Sequence, residues 1–262
     1  SASSATKLAD KAEAGPRRNG VMASNGLRPS TIGDATALGA GWVRVNASLS
    51  AVGPTYATFL QTFLDAGLNL VVTVVNDDPA LIDTTYGDPV TYPNAGFPIL
   101  AGKEAAYRQR VHDIVAPLVA SVDGGRQVVV QAENEIGAAS LGAPSVYWRG
   151  SVDQYLALLA QLGAACKAAS PRFAVALTSF TSDMLDSVLL GGTYATTLLG
   201  RLLAEGTYDT ADLHFYGRPE DIAAKVAWVQ QRLPAGRRWI STENAGPDLD
   251  LCGAGPPAWC SS

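Results

Sequence analysis

The chain has 262 residues, 47% of them apolar and 16% charged, which is enough for one large core and too apolar for a disordered segment. A formal charge of −5 and a pI near 5.0 speak against nucleic acid or an anionic membrane as partner, since neither is drawn to an acidic surface. No run of about 18 apolar residues is available to span a bilayer.

Residues 1–18 are polar and rich in Ala and Ser, and the chain opens at Ser1; this reads as a processed tail ahead of a single domain over 19–262. From Asn19 onward, short β-branched runs alternate with amphipathic stretches, the pattern of repeated strand–helix units on a parallel sheet. Seven strands are expected, over 20–24, 42–47, 68–75, 127–131, 173–177, 211–215 and 238–241. A helix is expected over 105–120, with His112 as a structural residue inside it. Tyr155, Leu158, Leu159, Leu162 and Cys166 recur at helical spacing, as do Ile222, Val226, Val229 and Leu233. Ser170-Pro171 closes the first of these helices and Pro234-Ala235-Gly236 the second.

Two long loops follow the third and fourth strands: 77–101, with Tyr86, Tyr92 and Phe97, and 136–151, with Tyr147 and Trp148. Leaving the C-terminal ends of strands, they are expected to wall a cleft. Residues 248–262 do not read as an eighth strand. Cys252 and Cys260 in that stretch could close a disulfide, which favours an oxidising, secreted or otherwise extracytoplasmic setting. The fold expected is α/β, a (β/α)8 TIM-type barrel without a recognisable eighth strand.

Two segments carry the chemistry. Gln131-Ala132-Glu133-Asn134-Glu135 and Trp239-Ile240-Ser241-Thr242-Glu243-Asn244 each put a carboxylate where a β-branched run gives way to loop. A parallel barrel keeps its reactive side chains at such strand ends, so Glu135 and Glu243 would face each other across one cleft. Paired carboxylates there suit glycosidic bond cleavage.

Asn134-Glu135, His214-Phe215-Tyr216 and Thr242-Glu243 resemble the ends of the fourth, sixth and seventh strands of clan A glycoside hydrolases. The string 131–137 is similar to the Glu-Asn-Glu-aromatic-Gly motif of family 35, and 147–171 looks more like families 5 and 39; no single family is assigned. The resemblance implies Glu135 as acid/base and Glu243 as nucleophile. It further implies Asn134 as a partner for the sugar 2-hydroxyl, and Arg44 and Tyr216 as supports for Glu243. Such enzymes often carry an aromatic platform on an eighth strand, for which no counterpart is recognised here.

Several residues keep two readings. Glu133 competes with Glu135, because two-residue alternation puts both on one side of the strand. Arg44, inside a buried strand, needs a carboxylate partner to offset desolvation, either Glu243 or a purely structural one. His214 either binds sugar hydroxyls or is a satisfied buried histidine. Trp148 either packs or offers a stacking face to a sugar ring. No metal-ligand spacing, serine-nucleophile elbow or nucleotide-binding glycine pattern is present, so no metal or cofactor is implied. The expected function is retaining hydrolysis of a β-linked oligo- or polysaccharide, with a carbohydrate-binding barrel lacking turnover, or a domain docking through its open edge, as alternatives.

Overall fold

Each β-branched run of the sequence becomes a parallel strand. The computed structural model describes residues 20–22, 31–137, 146–216 and 219–244. The expected tail at 1–18, the end of the first strand at 23–24 and the Cys252–Cys260 pair lie outside the described residues. The strands are β1 (Gly20–Met22), β2 (Trp42–Ser48), β3 (Asn69–Val75), β4 (Val128–Ala132), β5 (Ala174–Phe180), β6 (Thr210–Phe215) and β7 (Arg238–Asn244). Their spatial order follows the chain, and every adjacent pair is parallel. β1 and β7 approach each other without a hydrogen-bonded ladder among the described residues, so the sheet is a nearly closed barrel of seven strands.

Helices return the chain from one strand to the next: α1 (Thr31–Ala37), α2 (Tyr56–Asp65), α3 (Glu104–Val115), α4 (Val119–Asp123), α5 (Val152–Ala169), α6 (Ser182–Leu189), α7 (Thr193–Glu205) and α8 (Ile222–Gln230). The helix expected over 105–120 is broken at a 3-10 turn, Ala116–Leu118. Pro117 has no N–H for an α-helical bond, which explains the break. α5 buries all five residues of its expected stripe. Its start is fixed by a capping box, the Ser151 hydroxyl accepting from Gln154 N–H while the Gln154 side chain accepts from Ser151 N–H. In α8 only Val229 of the expected face is fully buried.

Alternation along the strands sorts the core into two layers. Val43, Val45, Leu70, Val72, Val128, Val130, Val175 and Leu177 pack outward into the main core with the helices. Val71, Val129 and Ala176, with Trp42, Ala174 and Ile240, form a separate cluster inside the barrel near the strands' N-terminal ends. Above that plug the inward-facing residues turn polar. A buried tyrosine ties this level to the helices: Tyr155 donates its hydroxyl to the Ala132 carbonyl at the end of β4 and accepts from Thr178 N–H on β5.

Candidate active site

The end of β4 decides which glutamate reaches the cleft. Glu133 and Glu135 both have positive φ, 59° and 43°, a region that costs a non-glycine residue about 1–3 kcal/mol. The reversal parts two side chains that strict alternation would keep together. Glu133 turns beneath loop 77–101 and is fully buried, its Oε1 accepting from Asn76 N–H at 2.9 Å. Burial lifts its carboxyl well above the usual range, against the pull of that hydrogen bond. The fit is tight: a Cβ at Gly96 would lie 1.8 Å from Glu133 Oε2, so only glycine allows this approach. Glu135 stays at the mouth of the barrel, its side chain 13% exposed.

Glu243, at the end of β7, is held by two groups. Arg44 on β2 pairs with it through Nη1, and the Tyr216 hydroxyl donates to its other oxygen. The Arg44 guanidinium is buried and spends its remaining donors on Thr73 Oγ1 (3.0 Å), Gln131 Oε1 (3.1 Å) and Asn134 Oδ1 (2.8 Å). Its planar fork suits this several-sided role, which a lysine could not fill. Burial, reinforced by the bond to Glu243, pushes the Tyr216 hydroxyl upward. Ser179 Oγ also lies 3.2 Å from Asn134 Oδ1, its one hydrogen being spent on Asp212 Oδ2 at 2.7 Å. With the Asn134 oxygen occupied, its amide nitrogen is the group left to present to a ligand.

Beneath these lies Asp212 of β6, fully buried. Its Oδ2 accepts from Gln131 Nε2 (2.7 Å), Ser179 Oγ (2.7 Å) and Thr242 Oγ1 (2.6 Å), and its Oδ1 from Thr242 N–H (3.0 Å). Burial alone would raise its pKa, but the hydrogen bond from His214, the His214 and Arg44 charges and the Thr242 hydroxyl bring it down to about 2. His214 stands above it with Nδ1 2.6 Å from Glu135 Oε1 and Nε2 3.1 Å from Thr242 Oγ1. Burial would lower its pKa; hydrogen bonds to Asp212 and Glu135, with the Asp212 and Glu243 charges, overcome that and raise it to about 9.

Burial favours one of the two readings kept for each of His214 and Trp148. His214 is completely buried, with both ring nitrogens facing protein groups, so it reaches a ligand only through Glu135 rather than by binding sugar hydroxyls itself. Trp148 is buried as well. Its indole N–H donates to the Ser151 carbonyl at 3.1 Å and its ring meets Tyr155 edge-on, so it packs rather than offering a stacking face. The neighbouring Tyr147 is half-buried, and its hydroxyl is pushed up by burial and by the Glu135 and Glu243 charges, whose field reaches it. Gly96 pairs with this segment, donating to the Tyr147 carbonyl and accepting from Arg149 N–H, both at 3.0 Å. That pairing turns residue 148 inward. Of the expected loop 136–151, the part 146–151 is thus stitched to loop 77–101, with Arg149 stacked 3.7 Å over the Tyr92 ring.

Sequence reading missed Thr73, Gln131, Ser179, Asp212 and Thr242. The available signal was a polar residue at an inward position of an otherwise apolar strand, as in Leu70-Val71-Val72-Thr73-Val74. Glu135, His214 and Glu243 each offer one potential metal-ligand atom, all within 4.8 Å of one another, and are the one such group among the described residues. Arg44 and Tyr216 already engage both oxygens of Glu243, and Glu135 already faces Nδ1, which is the arrangement of a hydrogen-bonded carboxylate pair.

No protein-family profile and no curated protein matches the chain. Solved structures do. A glucosidase from Croceicoccus marinus superposes with a TM-score of 0.56 at 15% identity, over 88% of this chain and 52% of that one. A modular endo-β-1,4-mannanase of family 26 from Cellulomonas fimi gives 0.56 at 15%, over 88% and 56%. The catalytic domain of Thermobifida fusca endoglucanase Cel5A gives 0.52 at 12%, over 94% and 73%. The chain spans about half the length of the first two. These neighbours are clan A glycoside hydrolases, and what this chain shares with them is the glycosidase-like barrel fold.

Proposed function

We propose that the chain is a retaining glycoside hydrolase acting on a β-linked oligo- or polysaccharide. The observation that carries this reading is the approach of carboxylate oxygens of Glu135 and Glu243 to within 4.8 Å. Retaining enzymes hold their two carboxyls about 5–5.5 Å apart, whereas inverting ones leave about 6.5–9.5 Å for a water. Fold likeness supports the reaction class, and a second structure of the Thermobifida fusca endoglucanase is a complex with cellotetraose.

In this mechanism Glu243 attacks the anomeric carbon while Glu135 protonates the departing oxygen, leaving a covalent glycosyl-enzyme. Water then attacks, its proton passing to Glu135, and Glu243 departs with the sugar's configuration retained. Arg44 and Tyr216 hold the two oxygens of Glu243 and so align it. Asn134 offers its amide to the 2-hydroxyl. A polymeric substrate too large to cross a membrane fits an extracytoplasmic place of action.

An activated 2-deoxy-2-fluoro β-glycoside should accumulate on Glu243, read as a mass increase on the peptide that contains it. Labelling elsewhere, or inversion of configuration seen by NMR of the product, overturns the mechanism. Sugar binding without turnover of any glycoside would favour the non-catalytic barrel.

A further inference from the structure

The buried face of His214 carries information that the two glutamates alone do not. Asp212 receives four hydrogen bonds, and a carboxylate so placed only accepts. The Thr242 hydroxyl, 2.6 Å from Oδ2, has therefore given its single proton to Asp212. Toward His214 Nε2, 3.1 Å away, the same oxygen can only accept. Asp212 Oδ2 itself lies 3.4 Å from Nε2 and exerts the same demand. Nε2 must carry hydrogen.

We propose that Asp212, acting largely through the Thr242 hydroxyl, fixes a proton on Nε2 of His214 and leaves Nδ1 as the one ring nitrogen that exchanges a proton with Glu135. Asp212 is then a positioning residue for the acid. When the ring is neutral, Nδ1 is a lone pair, and the 2.6 Å contact is Glu135 donating as a carboxylic acid. When the ring is charged, the same contact is Nδ1–H donating to the carboxylate. In both states one proton is shared between Glu135 and Nδ1, ready for the leaving group. The opposite neutral tautomer would aim Nδ1–H at Glu135 and favour its carboxylate, the wrong form for the first step.

The consequence for catalysis rests on the glycosidase reading; the tautomer does not. In the first step the shared proton goes from Glu135 to the glycosidic oxygen as the bond to the anomeric carbon breaks and Glu243 bonds that carbon. His214 is left neutral with Nε2–H. In the second, water adds to the anomeric carbon, its proton goes to Glu135, and the bond to Glu243 breaks.

Long-range 1H–15N correlation of the imidazoles tests this directly, because the chain has two histidines and His112→Gln assigns them. Once the His214 ring is neutral, Nε2 should show the protonated-nitrogen shift and Nδ1 the lone-pair shift. Asp212→Asn should move the neutral ring toward Nδ1–H. It should also lower kcat on an unactivated glycoside by ~10²-fold or more, with far less effect on a good leaving group. A neutral ring with Nδ1–H in the parent protein overturns the proposal, as does Nε2–H persisting in a folded Asp212→Asn variant. If that variant does not fold, the parent spectrum alone decides. A parent with Nε2–H but no activity on any glycoside would leave the tautomer standing and remove the glycosidase reading.

Discussion

Arg44 and Glu243 are 199 positions apart in the chain and meet as an ion pair at the mouth of the barrel. The arginine is buried and the glutamate side chain 14% exposed, so removing the cation leaves a carboxylate poorly served by solvent. Arg44→Met should cost about 3 kcal/mol of stability and most of the activity. Arg44→Lys should recover less than half of the stability, because it cannot also reach Thr73, Gln131 and Asn134. Thermal melts and kcat of the two variants check this; an active, undestabilised Arg44→Met would make the pair incidental.

The two glutamates of β4 should separate cleanly on substitution. Glu135→Gln should lower turnover of poor leaving groups by ~10²–10⁴-fold while aryl glycosides still release their phenol in the first step. Glu133→Gln should stay active and be at least as stable, since its carboxyl is held well above the usual range and an amide avoids any ionisation cost. Loss of activity in a folded Glu133→Gln variant would reverse the assignment.

Trp148→Ala should remove ~3–5 kcal/mol of stability with little change in KM, as expected of a buried aromatic. Tyr147→Phe should leave the melting temperature within about a degree or two and alter KM or kcat. The reverse ranking would return Trp148 to the cleft.

Stability should depend on pH through the buried His214–Asp212 pair. The folded pKa of His214 is raised, so its contribution is complete below the ordinary 6.5 and is lost as pH climbs through about 9. Asp212 is depressed, so its contribution is complete above the ordinary 3.8 and is lost as pH falls through about 2. The melting-temperature gap between the parent and His214→Gln should therefore shrink above pH ~9. A gap that widens there would mean the ring is buried neutral.

The strands and the α5 stripe were legible because burial on a barrel writes itself as β-branched runs and helical spacing. Strand ends were less so: β5 continues to Phe180 and β7 to Asn244, carried past the apolar run by pairing with β6. The choice between Glu133 and Glu135 was hidden because two positive φ angles cancel the alternation that sequence reading relies on. The two readings of Trp148 could not be separated because its direction is set by a backbone pairing with Gly96, 52 residues distant in sequence, to which no local pattern points. The inward polar layer was missed because one Thr or Gln in an apolar strand looks the same whether it faces a network or a helix.

Gln131 touches Arg44 of β2, Thr73 of β3, the Leu177 carbonyl and Ser179 of β5, and Asp212 of β6. One amide side chain therefore reads the alignment of four other strands at once. A slip of a single residue in any of them would bury polar groups with nothing to bond, at ~1–3 kcal/mol apiece. The layer that steadies the glutamates thus doubles as a proofreader of assembly, rejecting barrels that are compact but out of step. A chain that has passed this check has, by the same contacts, already set its two carboxylates face to face.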